Sequence, residues 1–214
     1  MTEPEIRQAI VQACRAMNAT RLNQGMAGNI SVRLGEVMFI TPTATPYDQM
    51  QPGDIAMVAL ADPDGAYTGP LRPSSEWRFH RDILRARPEF SAVVHAHSPY
   101  CTGLSIARRG IPACHYMVAS FGGDDVRCAP YETFGTAALS RAVLGALAER
   151  SACLMANHGM LACGQDLAQA MWRAVELEAL ARQYILAQQA GGAVLLSRAE
   201  IAAAEAMFAS YRPK

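Results

Sequence analysis

No stretch of this chain is basic enough to grip a nucleic-acid backbone. None is apolar and uncharged for long enough to span a bilayer. Nineteen Lys and Arg balance nineteen Asp and Glu, and only 18% of the residues are charged. Nucleic acid and membrane are therefore set aside as partners. The six cysteines (Cys14, Cys101, Cys114, Cys128, Cys153 and Cys163) include no CxxC pair. This argues against a cysteine metal site and leaves small buried thiols in a reducing compartment. The opening Met1-Thr2-Glu3-Pro4-Glu5 is acidic and lacks the apolar core of a signal peptide, so the cytoplasm is the expected location. Histidine is scarce too: His80, His95, His97, His115 and His158 are the whole supply.

What is present suits one globular domain over residues 1–214. Half of the chain (51%) is hydrophobic, enough for a substantial core. Residues 3–18 place Ile6, Ile10, Cys14 and Met17 on one helical face. Strands are expected at 30–33, 37–41, 55–61 and around Tyr67. A helix is expected to open at Pro73-Ser74-Ser75-Glu76, with serine as its cap, and to run to Arg87 before Pro88. A strand carrying His95 and His97 follows, then a helix over 99–109. Further strands are expected over 113–118, 127–129, 152–155 and 160–163. Helices are expected over 135–150, 166–190 and 197–211. Several strands adjoin without an intervening helix, which favours a mixed, largely antiparallel sheet flanked by helices in one α/β domain.

Several features carry chemistry. His95-Ala96-His97 closes the apolar run 90–94, and strand alternation puts both imidazoles on one face. His158 ends another apolar strand, just before Gly159, and is the third candidate ligand. Spacing alone leaves two accounts open, a catalytic metal site and satisfied core histidines. Glu76, beside Trp77, is the acid/base candidate, although a carboxylate at a helix start also suits the helix dipole. Three loops rich in small residues and hydroxyls (Gly28-Asn29, Thr43-Ala44 and Ser74-Ser75) offer N–H and O–H groups to a phosphate. His80 is either a partner behind this site or a surface residue.

In this order the segments resemble the class II aldolase/adducin-head family. They are Asn23-Gln24-Gly25, Ala27-Gly28-Asn29-Ile30-Ser31, Thr41-Pro42-Thr43, Ser74-Ser75-Glu76-Trp77-Arg78-Phe79-His80, His95-Ala96-His97, His115-Tyr116-Met117, Ala129-Pro130-Tyr131-Glu132-Thr133-Phe134-Gly135, and His158-Gly159. The resemblance spans nearly the whole chain. It implies the family's α/β/α fold and a zinc ion, or manganese or another divalent metal, on His95, His97 and His158. It implies Glu76 and Tyr116 as catalytic residues. It implies a sugar phosphate held by Gly28, Asn29, Thr43, Ala44, Ser74, Ser75, Phe134 and Tyr211. It also implies a homotetramer with sites between subunits, Tyr116 reaching the neighbouring site. The reaction implied is reversible cleavage of a ketose 1-phosphate, of the L-fuculose 1-phosphate kind, to dihydroxyacetone phosphate and an aldehyde through a zinc-stabilised enediolate.

Decarboxylases, dehydratases and epimerases of the same superfamily are rival readings, as is a non-catalytic adducin-like binding module. Epimerases of this family carry an acidic residue after a Thr-His-Ala segment, where this chain has Val118-Ala119-Ser120. The binding module predicts lost ligands, and none is lost. One departure bears on substrate: Ala44 stands where the family's phosphate loop has glycine. Its Cβ is accommodated if φ is negative, and otherwise signals a changed substrate.

Overall fold

The computed structural model describes residues 1–210. Its frame is one eight-stranded sheet. The strands are β1 (Asn29–Leu34), β2 (Val37–Ile40), β3 (Ala56–Ala59), β4 (Tyr67–Thr68), β5 (Ala92–Ala96), β6 (Cys128–Ala129), β7 (Ala152–Met155) and β8 (Gly159–Gly164). Their spatial order is β4-β3-β2-β1-β5-β8-β7-β6. Every neighbouring pair is antiparallel except β6 with β7. The mixed, largely antiparallel α/β fold expected from the sequence is the one observed.

The helices are α1 (Glu3–Ala19), α2 (Trp77–Ala86), α3 (Pro99–Ile106), α4 (Ala137–Ala146), α5 (Leu167–Gln189) and α6 (Arg198–Ser210). Among the described residues, no helix is long and apolar enough to cross a membrane. The sheet divides the core in two. One cluster joins α1, α3 and α5 to Val94, Ala96, Ala162 and Leu154. The other joins α2 and α4 to Val93, Leu161, Cys163 and Met155. Alternation along β5 therefore turns His95, two residues after Val93, toward the side that α2 covers. All six cysteines are free thiols, four of them fully buried in these cores.

Three expectations are corrected. Helix α2 begins at Trp77, with Glu76 rather than a serine at its N-cap position. Ser74 is held in an extended segment, because its N–H pairs with the Thr41 carbonyl at 2.9 Å and Pro42 bridges Pro73. The strand expected over 113–118 is absent. Pro112 has no N–H for a ladder, and the His115 ring accepts from the Met117 N–H at 3.2 Å, capping a 3-10 turn over Tyr116–Phe121. A local side-chain bond has outcompeted the ladder there. Helix α4 is also shorter than expected, starting after a Thr136 cap and ending at Ala146.

Candidate metal centre

Register assembles the site. Strand β1 pairs with β5 so that Asn29 lies opposite His95 and Ser31 opposite Val93. Directly opposed residues share a face, so Asn29, Ser31 and His95 all look toward α2. Residue Phe79 of α2 packs edge-on against His95, with ring centroids 5.7 Å apart. The start of α2 then delivers Glu76 to the same place. His158 arrives from the turn between β7 and β8, where Asn157 takes φ 54°, a left-handed conformation that Asn tolerates better than most residues.

His95, His97 and His158 each aim one ring nitrogen at a common point, all within 4.8 Å of one another. The Nδ1 of His95 lies 2.8 Å from the Met160 carbonyl. A carbonyl only accepts, so Nδ1 carries the proton and Nε2 presents its lone pair. That lone pair faces His97 Nε2 at 3.1 Å. Two ligands on a tetrahedral metal with bonds of ~2.05 Å lie about 3.3 Å apart. The observed spacing fits a shared cation, and an all-nitrogen set suits zinc while admitting other divalent metals. Burial, then the neighbouring rings His95 and His158, push His97 down to about 4, so it is a neutral ligand at neutral pH.

Glu76 is 5% exposed and closes the cluster. Its Oε2 is 3.2 Å from His95 Nε2 and its Oε1 is 3.1 Å from His158 Nε2. Burial alone would raise its pKa. The adjoining His95 and His158 rings outweigh burial and hold the carboxyl well below the usual carboxylate range. Asn29 Nδ2 donates to Oε2 at 2.8 Å. Oε1 is buried yet makes no hydrogen bond of good geometry.

The three loops expected to take phosphate converge beside this cluster. Thr41 ties them, its Oγ1 accepting from the Ile30 N–H at 3.2 Å and its carbonyl from the Ser74 N–H at 2.9 Å. Thr43 N–H bonds the Arg72 carbonyl at 2.9 Å. Gly28 is obligatory, since a Cβ there would lie 2.5 Å from the His95 carbonyl oxygen. Ala44 sits at φ 50°, so accommodation through a negative φ does not occur and the residue is strained. Asn29 is not free to serve a phosphate alone, because its amide already engages Glu76 and His80. His80 is completely buried, which removes the surface alternative.

A cavity of about 320 Å³ opens in front of the cluster, lined by Ser75, Glu76, His97, His158, Tyr131 and Phe134 among others. Tyr131, Glu132 and Asn157 also line it; the first two lie in a segment that carries the family resemblance, but the sequence assigns none of the three a site role. Asn23 was also missed as a site residue; its Oδ1 accepts from the His97 N–H at 3.2 Å and fixes the end of β5. Tyr116 does not line this cavity. It is half exposed and stacks on Phe208 of α6, with centroids 6.1 Å apart. Tyr211 lies outside the described residues.

The family model described as Class II Aldolase and Adducin N-terminal domain matches residues 8–185. The chain is 49% identical over 179 residues to the 5-methylthioribulose-1-phosphate/5-deoxyribulose-1-phosphate aldolase of Rhodospirillum rubrum, covering 84% of this chain and 80% of that one. It is 42% identical over 212 residues to the L-fuculose phosphate aldolase of Escherichia coli strain K12, covering 99% and 97%. A solved L-fuculose 1-phosphate aldolase superimposes with a TM-score of 0.91 at 34% identity, over 96% of each chain. With this match, and with the histidine triad and Glu76 in place, the chain belongs to the class II aldolase and adducin N-terminal domain family, as a lyase of its aldolase side.

Proposed function

We propose that the protein is a zinc-dependent aldolase that cleaves a ketose 1-phosphate reversibly to dihydroxyacetone phosphate and an aldehyde. The observation that carries this reading is the convergence of three imidazoles and one buried carboxylate beside a cluster of small-residue loops. The names of the relatives, sugar-phosphate aldolases, support it. His95, His97 and His158 would hold the cation, which would act as a Lewis acid toward the charge left by C–C cleavage.

The protein's own groups do the rest. The C4 hydroxyl loses its proton, the C3–C4 bond breaks, the aldehyde leaves, and C3 of the remaining enediolate takes up a proton. Glu76, a carboxylate in the resting site, takes up a proton equivalent to the one the C4 hydroxyl lost and delivers it to C3, so that none is gained or lost overall. Its Oε2 is occupied by the Asn29 N–H, so Oε1 is the oxygen that exchanges it. Gly28, Thr43, Ala44, Ser74 and Ser75 receive the phosphate, Thr43 and Ser74 through their hydroxyls because their N–H groups bond the Arg72 and Thr41 carbonyls, with an Asn29 N–H beside them. Phe134, at the cavity mouth, borders the aldehyde end and shields it from water. Tyr116 does not line its own cavity, which fits action as a proton exchanger for the aldehyde oxygen in a neighbouring subunit of a homotetramer.

The test is a panel of ketose 1-phosphates, followed by release of dihydroxyacetone phosphate with and without a chelator. Release that stops on chelation and returns with zinc is expected. No release from any member, or release of CO2 from an acid substrate instead, overturns the reading.

A further inference from the structure

Behind Glu76 lies a buried hydrogen-bonded chain that links α2 to β1. Ser31 Oγ is 2.7 Å from His80 Nδ1. His80 Nε2 meets Asn29 Oδ1. Asn29 Nδ2 is 2.8 Å from Glu76 Oε2. Ser31 and His80 are fully buried and Asn29 is 4% exposed, so water does not share these bonds. The chain has one consistent polarity. A carboxylate only accepts, so Asn29 must turn its NH2 to Glu76 and its carbonyl to His80. His80 Nε2 must then be the N–H donor, and Nδ1 must accept from the Ser31 hydroxyl. The opposite polarity would set the Asn29 carbonyl against the Glu76 carboxylate, two acceptors in contact.

We propose that His80 is a positioning residue for Glu76. Its neutral Nε2–H ring, whose bare Nδ1 accepts from the Ser31 hydroxyl, locks the Asn29 carboxamide in the one orientation that gives Glu76 Oε2 a donor. Without it the buried amide has no partner for its carbonyl, and either face can turn to the carboxylate. A flipped amide repels Oε2, shifts the carboxylate within the histidine cluster and leaves Oε1 misplaced for proton exchange. Burial favours the neutral ring and pushes His80 down to about 3, with His95 adding to the effect. The ring thus stays a neutral donor throughout the working pH range.

The kinetic part of this inference rests on the aldolase reading, whereas the structural part does not, and two measurements separate them. In metal-free, nitrogen-15-labelled wild-type protein, a long-range proton–nitrogen correlation spectrum should show His80 as the Nε2–H tautomer at neutral pH. A ring protonated on Nδ1, or on both nitrogens, overturns the proposal whatever the substrate. In metal-loaded enzyme, His80→Leu should lower kcat for ketose 1-phosphate cleavage about tenfold, the worth of one well-placed neutral hydrogen bond, with KM and bound metal little changed. His80→Gln restores an N–H within reach of Asn29 and should recover most of that loss. Wild-type kcat in the Leu variant, or a Gln variant no better than Leu, overturns the proposal. Should the Leu variant not fold, the Gln variant and the tautomer still decide it. If wild-type enzyme cleaves no ketose 1-phosphate while His80 is the Nε2–H tautomer, the aldolase reading fails and the positioning chain stands.

Discussion

Ala44→Gly should stabilise the protein. Ala44 sits at φ 50° in the loop after β2, where an L-residue's Cβ crowds the following carbonyl at a cost of about 1–2 kcal/mol. Glycine avoids that cost but gives up about 0.5–1 kcal/mol in backbone entropy. The residue is exposed, so losing its methyl forfeits little burial. The balance favours glycine by roughly 0–1.5 kcal/mol, about 0.75 at the centre of the two ranges, which for a domain of this size raises the melting midpoint by about 2–3 °C. The measurement is thermal unfolding of the metal-free protein, because a bound ligand raises the midpoint by mass action and would mask the change. A lowered midpoint would refute the reasoning, since the left-handed strain would then be absent or offset. The same variant probes substrate: if phosphate rests on the Thr43–Ala44 backbone, removing the Cβ should lower KM for a ketose 1-phosphate. An unchanged KM removes Ala44 from the site.

Further outcomes are expected at the cluster and its supports. His95→Ala or His158→Ala should abolish stoichiometric metal by elemental analysis and activity with it; retained metal in both contradicts the triad. Glu76→Gln should keep the metal and lower kcat by about 10²–10⁴-fold, the usual worth of general acid–base catalysis. Gly28→Ala drives a Cβ to 2.5 Å from the His95 carbonyl, so the backbone must move, and a loss of several kcal/mol in denaturant unfolding is expected. The unfolded chain protonates His80 near pH 6.5, whereas the folded ring resists down to about 3. Stability of metal-free protein should therefore fall as pH drops through that window, by about 1.4 kcal/mol per pH unit for this one proton. His80→Gln should remove that increment from the slope; an unchanged slope assigns the proton uptake elsewhere.

How much was legible in the sequence depended on the range of the determining interaction. His95 and His97 could be paired because strand alternation is local, and α1 and α5 because their apolar spacing is. The sheet's mixed character followed from strands that adjoin without helices. The strand expected over 113–118 failed because apolar content there says nothing of a histidine that caps its own turn. The start of α2 was misplaced because Ser74 is claimed by Thr41, a cross-loop bond with no local signature. The tie between His80 and Asn29 was invisible for a different reason: it depends on the register of β1 against β5 and on α2 lying across both. Ala44 shows the limit most plainly, since its identity was readable but the sign of its φ was not.

The triad's ligands come from two places in the chain. His95 and His97 stand at the end of β5, and His158 stands in the turn that opens β8, with Ala96 paired to Met160. An unfolded chain keeps only the neighbouring pair, a two-toothed chelator at best. The third tooth appears when β5 and β8 zip together, a pairing that closes a loop of more than half a hundred residues and that α5 clamps from behind. Metal affinity is therefore a gauge of that zipper. Lesions far from the site, along the face of α5 that presses on β5 and β8, should surface first as a weakened grip on the cation, before secondary structure or solubility records any damage.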